Sequence, residues 1–451
     1  MSGKARAGRV HVVGAGLAGL AAAVELAAAG HRVSLYEASG QAGGRCRSYA
    51  DAELGCRIDN GNHLLLAGNR SALGYLARTG ALGTIDGPRE AVFAFFDVVS
   101  GQRWQLRPNR GAVPWWILRR TRRVPGSRAA DYLESLALRG AAPSATVAEA
   151  LDRNRRLFRR LWEPLAVAAL NTGVERGSAR LFWHILAATL GRGGGACRPL
   201  VPRDGLSETF VDPALQTLRA LGADIRFGAR LRALEFAADR VSGLAFDARR
   251  IALEDGDDLV LAVPATIAAR LVPGLIVPDA FSPILNAHFR CVPPPGSPLF
   301  VGVVGGAAEW IFRKRQVLSV TVSAADRVVD RPADELRETL WRDVALAYRL
   351  PAAPVPAARI VKERRATFLA SPEQLRRRPA TTTCWRNLAL AGDYTDTGLP
   401  ATIEGAIGSG LAAGRQVATR RARQPLAAPA GADRFHSGMC DQEQERRHSL
   451  R

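Results

Sequence analysis

The stretch VVGAGLAGLAAAVELAAAGHRVSLYE, Val12 to Glu37, constrains the fold more than any other part of the chain. A short apolar strand over Arg9–Val13 runs into Gly14, Ala15, Gly16, Leu17, Ala18 and Gly19, which set glycines in GxGxxG spacing. A helix is expected over 17–29, with Gly30 as its natural stop, and a second strand over 31–36 ends on Glu37. Gly14 allows a tight turn, Gly16 lets backbone approach a pyrophosphate, and Gly19 lets helix and strand pack closely. Free N–H groups at the helix N-terminus favour phosphate. Glu37, 23 residues after Gly14, is placed to accept hydrogen bonds from ribose hydroxyls and would repel a 2′-phosphate. The stretch therefore predicts a parallel α/β dinucleotide fold, without separating FAD from NAD.

At 451 residues the chain is long enough for two or three domains. Its 47% hydrophobic and 23% charged residues exclude disorder as a description of the whole. The formal charge of +20 comes almost wholly from arginine, lysine occurring only at 4, 314 and 362. Denser runs lie at 119–123, 153–160 and 376–378, but no nucleic-acid module accompanies them. A solvated, arginine-biased surface or attraction to an anionic membrane accounts for the charge, and no nucleic-acid partner is expected. The six cysteines form no CxxC pair, which argues against zinc or a disulfide framework and fits a reducing compartment. No metal site, signal peptide or transmembrane helix is expected. Residues 421–451 show little periodicity and are expected to be a disordered tail.

The segment ASGQAGGRCRS adds Gly43, Gly44 and Arg45, glycines that let a second backbone segment pass close to the cofactor and an arginine for its pyrophosphate. This GxGxxG–Glu–GGR succession resembles the amine-oxidase and phytoene-desaturase superfamily of FAD enzymes. Two further blocks fit that resemblance. In NLALAGDYTDTGLPATIEGAIGSGLAAG, Gly392 and Asp393 match the family's ribityl-binding acid, and Pro400 suits a helix first turn. The resemblance implies that the N–H groups of Ala401, Thr402 and Ile403 face the flavin N1–C2=O edge, where the helix end favours negative charge. In the central segment, Leu231 is expected to touch the adenine through its backbone. Gly408–Ser409–Gly410 imitates a second dinucleotide motif, but mid-helix glycines are read as close helix packing. The resemblance implies non-covalent FAD and an α/β chain: a discontinuous Rossmann-like FAD-binding domain (1–80, 200–265, 383–420) with an inserted α+β substrate domain (81–199, 266–382). Cys384 matches no flavin attachment position.

Within that superfamily, DNGNHLLLAGN (59–69), LWEPLAVAALNT (161–172), PRDGLSETFVDPA (202–214) and GDYTDTGLPATIEGAIGSG (392–410) are similar to the hydroxysqualene dehydroxylase family of squalene-associated FAD enzymes. Gly408 departs from the larger residue expected there. The resemblance implies reduction of hydroxysqualene to squalene, with loss of water, in hopanoid and squalene biosynthesis. A general acid must help the hydroxyl leave. His63 is the first candidate, with Asn62 as its orienting partner and Asp59 bracing the turn at Gly61. A structural, backbone-bonded His63 is the competing reading. Glu163 and Glu404 are second-line acids. A carotenoid-type desaturase needs the same fold and tunnel and stands as the alternative. An amine oxidase would need an aromatic pair at the flavin, and Trp385 has no evident partner. A non-catalytic basic protein with a relic flavin site would leave the three cofactor blocks without purpose.

A substrate of this class has roughly thirty carbons, and drawing it through water would cost on the order of 20 kcal/mol. Direct membrane contact is therefore expected, placing the protein in the cytoplasm and peripherally on the inner membrane face. VPWWILRRTRR, 113–123, offers Trp115, Trp116, Ile117 and Leu118 for the headgroup boundary and Arg119, Arg120, Arg122 and Arg123 for anionic lipid. A tunnel-wall helix is the competing reading.

Overall fold

The computed structural model describes residues 8–351 and 353–423. Five strands form one parallel sheet in the order Asp224–Arg226, Arg32–Tyr36, Arg9–Val13, Asp258–Leu261 and Leu388–Leu390. Val10, Val12 and Val13 of the central strand are buried, as expected where helices cover both faces of a parallel sheet. The helix Leu17–Ala28 follows the glycine turn and ends as expected: Gly30 sits at φ +82°, and the His31 N–H reaches back to the Leu26 carbonyl at 3.1 Å. The long helix Ile403–Arg423 packs against it. A Cβ on Gly410 would lie 2.0 Å from the Ala18 carbonyl oxygen. The imitation motif at 408–410 is thus a close helix crossing.

That last helix corrects two expectations. Pro400 stands ahead of it rather than in its first turn, because Thr402 is the capping residue: its hydroxyl accepts from the Gly405 N–H at 3.1 Å. At the other end, 421–423 are helical rather than disordered. Arg421 donates to the Gly8 and Arg9 carbonyls and meets the Asp258 carboxylate, tying the helix end to the sheet. The rest of the expected tail, 424–451, lies outside the described residues.

A second sheet of seven strands runs Ala358–Phe368, Phe281–Arg290, Val317–Val322, Trp310–Arg313, Phe300–Val304, Phe93–Asp97 and Arg103–Leu106. The period of two gives it two distinct faces. Leu285, Ala287, Phe289, Ile311, Leu318 and Val320 pack on the helix Ala333–Tyr348 through Leu336, Leu340 and Val344. The opposite face carries Asn286, His288, Ser319 and Thr321 on two strands, then Trp310, Phe312, Phe300, Phe93 and Phe95 on the next three. Gly302 is needed there, since a Cβ would come within 2.7 Å of the Phe95 ring. Helical segments between 115 and 197 cover the aromatic half with Trp116, Phe158, Trp162 and Phe182.

Candidate flavin and substrate site

At the nucleotide loop the three glycines differ in what surrounds them. Gly14 sits at φ +103°, and a Cβ would lie 2.4 Å from the Ala262 carbonyl oxygen; on Gly19 it would lie 1.8 Å from the Gly14 carbonyl oxygen. Both are required by the protein's own backbone. A Cβ on Gly16 meets nothing within 4 Å, so this glycine leaves the helix N-terminus open to a phosphate. The Glu37 carboxylate accepts from the Ala15 and Ser39 N–H groups, each at 2.8 Å. Gly228 and Ala229 bond to the backbone of Ser39 and Glu37, which sets Leu231 at the start of a strand near Glu37. The GGR segment lies against the same loop: the Gly43 N–H donates to the Ala15 carbonyl at 2.8 Å, and Gly44 sits at φ +57°. These residues fit an adenine dinucleotide, and Glu37 and the loop around Gly16 would hold it.

Arg45 and Asp393, 348 positions apart, meet in an ion pair of 2.7 Å. The glycine-rich N-terminal block and the C-terminal block therefore join at one point. The Gly392 turn is held from behind by Ser409, whose hydroxyl accepts from the Gly392 N–H at 2.9 Å and bonds Thr395. It is held from the side by Arg378, which donates to the Leu399 carbonyl at 2.7 Å and the Asp393 carbonyl at 3.2 Å. Burial pushes this guanidinium down to about 10, so it stays charged at neutral pH. In sequence Arg378 belongs to a basic run read as solvated surface. The structure corrects that reading for this one residue, which is only 8% exposed. Among the described residues, none of the N–H groups of Ala401, Thr402 and Ile403 has a protein backbone acceptor.

His63 is half-buried and lines a pocket with Asn62, Phe312, Leu299, Asp59 and Lys314. Burial pushes its imidazole down to about 4, against the pull of Asp59. The ring is neutral at physiological pH, which corrects its reading as a protonated acid; it can still donate one N–H. Asn62 does not orient it. The Asn62 amide donates to Ser319 Oγ at 2.7 Å and Thr321 Oγ1 at 3.0 Å. A buried polar chain continues from there: Ser319 bonds His288 Nδ1 at 2.7 Å, and Thr321 donates to Asn286 Oδ1 at 2.8 Å. Asn286 in turn lies against Gly61. Sequence reading missed this chain, although polar residues at 286 and 288 inside an apolar strand were a usable signal.

Asp59 does not act on Gly61. It is 2% exposed, pairs with Lys314, and accepts from the Leu206 N–H at 2.9 Å and the Ser48 hydroxyl. Burial works to raise this carboxyl, but Lys314 and the hydrogen bonds prevail and hold it below its ordinary value. Glu404 accepts from the Ser71 and Ala72 N–H groups at 2.9 and 2.8 Å, capping the helix Arg70–Arg78. It is neither a free acid nor a salt bridge. Burial, then Glu175, raises the Glu163 carboxyl. Near it Glu309, also raised by burial to about 7, accepts from the Ser323 N–H at 2.7 Å. Trp385 packs on Phe236 at 4.3 Å, in the core beside the strand Leu231–Ala237, and is no part of an amine cage.

A parallel sheet carrying a glycine-rich nucleotide loop, together with a seven-stranded sheet whose Phe312 and Arg313 line the His63 pocket, suits a flavoprotein oxidoreductase. The model of the flavin-containing amine oxidoreductase family matches residues 17–418, and the chain belongs to that family. It is an FAD-dependent enzyme of α/β fold. More particularly, it is 47% identical over 414 residues to the hydroxysqualene dehydroxylase of Rhodopseudomonas palustris, covering 90% of this chain and 99% of that one. A probable zeta-carotene desaturase of Synechococcus elongatus is more distant, at 26% over 60% of this chain and 61% of its own. Among solved structures, the cyclohexylamine oxidase of Brevibacterium oxydans shares the fold at a TM-score of 0.66, with 15% identity over 93% of this chain and all of that one.

Proposed function

We propose that this protein reduces hydroxysqualene to squalene, using FAD held by Gly14–Gly19, Glu37, Gly43, Gly44, Arg45, Leu231, Gly392, Asp393 and the N–H groups of Ala401, Thr402 and Ile403. The observation that carries the reading is the near full-length, 47% identity to a hydroxysqualene dehydroxylase. Bound reduced FAD supplies the hydride that replaces the hydroxyl. The chain supplies the setting. Phe312 and Leu299 give the His63 pocket apolar walls, suited to an isoprenoid chain and to an allylic cation near a π face. The neutral His63 orients the departing hydroxyl by hydrogen bond. The weaker match to a desaturase leaves polyene oxidation as the lesser reading. An anaerobic single turnover tests the choice: dithionite-reduced protein plus hydroxysqualene should give oxidised flavin and stoichiometric squalene. Flavin that stays reduced would defeat the reading, and bleaching of the oxidised protein by a linear polyene would indicate a desaturase.

The same reading includes peripheral docking on anionic membrane at 113–123. This segment forms two short turns, Trp115–Leu118 and Arg120–Arg122, rather than a tunnel-wall helix. Trp116 is buried, edge-on to Tyr132 at 5.2 Å, while Val113, Trp115 and Leu118 are exposed. Leu133 and Leu136, on the neighbouring turn Ala129–Gly140, are also exposed. The Arg119 and Arg122 guanidinium groups lie 5.4 and 5.2 Å from the Trp115 ring centre. An apolar patch ringed by arginine suits an anionic bilayer surface. At about 1 kcal/mol per basic residue, reversing Arg119, Arg120 and Arg122 to Glu should weaken vesicle binding by more than tenfold. Co-sedimentation with anionic vesicles measures this, and undiminished binding would remove the docking surface.

A further inference from the structure

Of the 62 basic residues, all but Lys4, Lys314 and Lys362 are arginine. Lys4 lies outside the described residues, and Lys362 sits on an edge strand with its Nζ on the Arg331 carbonyl. Lys314 alone of the two described lysines faces a pocket, the one that also contains His63. The choice of residue matters chemically. A guanidinium holds its protons throughout the accessible pH range, whereas an ammonium can give one up. A chain that answers nearly every need for positive charge with arginine places a transferable proton here.

The surroundings aim that proton. The strand Trp310–Arg313 ends at Lys314, whose backbone N–H is fixed on the Val317 carbonyl at 2.9 Å. Asp59 holds Nζ through Oδ2, while its Oδ1 is taken up by Ser48 and Leu206. Ser48 and Ser207 bond each other in both directions, at 2.7 and 3.0 Å, so the carboxylate has little freedom to turn. The Lys314 side chain is 25% exposed and Asp59 2%, which leaves the ammonium a path to solvent for reprotonation. The pocket's other ionisable candidates are unsuited to give a proton: His63 is neutral and Asp59 is ionised.

We propose that Lys314 is the general acid that protonates the leaving hydroxyl, with Asp59 as its positioning residue. The inference rests on the dehydroxylation reading. In the step, an N–H bond of the ammonium breaks and an O–H bond forms as the C–O bond breaks with its electron pair going to oxygen. Water leaves, the allylic carbon accepts hydride from the reduced flavin, and the flavin is oxidised. Solvent returns the proton to the amine.

The test is an anaerobic single turnover on the full-length, FAD-loaded protein and its variants. Lys314→Arg keeps the charge and the Asp59 pair, so it should retain flavin; its reoxidation by hydroxysqualene should slow by roughly a hundredfold or more. Lys314→Ala should slow similarly and be restored, in proportion to concentration, by added methylamine or ethylamine. Reoxidation of Lys314→Arg within threefold of the unaltered protein would overturn the proposal, as would slow Lys314→Ala that no amine restores. Should Lys314→Ala lose its flavin, the arginine variant decides alone. If the unaltered protein itself is not reoxidised by hydroxysqualene, the dehydroxylation reading fails first and the acid fails with it. Unaltered protein that turns over beside an equally fast Lys314→Arg defeats the acid alone.

Discussion

Gly16 and Gly19 are three residues apart in one motif, yet they serve different masters. A side chain at Gly19 would strike the chain's own backbone at 1.8 Å, whereas one at Gly16 would enter open space. Gly19→Ala should therefore destabilise the apoprotein itself, by about 1–3 kcal/mol of overpacking. Gly16→Val should leave apoprotein melting nearly unchanged and weaken FAD binding by tenfold or more, because its side chain occupies the phosphate approach. Melting of the apoproteins and FAD titration separate the two; equal losses in both assays would contradict the division. His63 makes a related point. Its type and position were legible in the sequence, but its charge was not, since the shift to about 4 comes first from burial.

Among the elements, the helices around the nucleotide sheet are fastened by side chains that sequence reading assigned elsewhere. Glu404 stands in the sequence as a second-line candidate acid. In the fold it reaches across to the first turn of the helix Arg70–Arg78, where free N–H groups and the helix dipole favour a carboxylate. Glu404→Ala should lower stability by about 0.5–2 kcal/mol and leave single-turnover reoxidation unchanged. A slowed reaction in a variant of undiminished stability would restore Glu404 as an acid. Ser409 likewise sits inside an apparent dinucleotide motif, but its hydroxyl braces the Gly392 turn. Spacing identified these helices; partners across the fold decided what their polar residues do.

Taken as a whole, the molecule buries His288 at 1% exposure beneath the His63 pocket, and burial pushes it down to about 4. Unfolded, this histidine titrates near 6.5. Between those values the unfolded chain binds a proton that the native chain refuses. Stability is therefore fully present above about 6.5 and is lost as pH falls toward 4. The contribution is up to roughly 3 kcal/mol for this one group. Urea melts of the holoprotein at about pH 7 and about pH 4.5 should show that loss, and His288→Asn should reduce it. An identical acid loss in the variant would place the sensitivity elsewhere.

The cofactor half of this protein was determined by sequence alone, because its signals are local. Glycines at fixed spacing fix backbone conformation within a few residues, and an acid at the end of the next strand follows from the βαβ geometry. The substrate side was decided only by tertiary structure. Asn62 meets Ser319 across 257 positions, and Lys314 meets Asp59 across 255. No periodicity or propensity connects residues so far apart. Their pairing, and the burial that comes with it, exist only once the chain has folded.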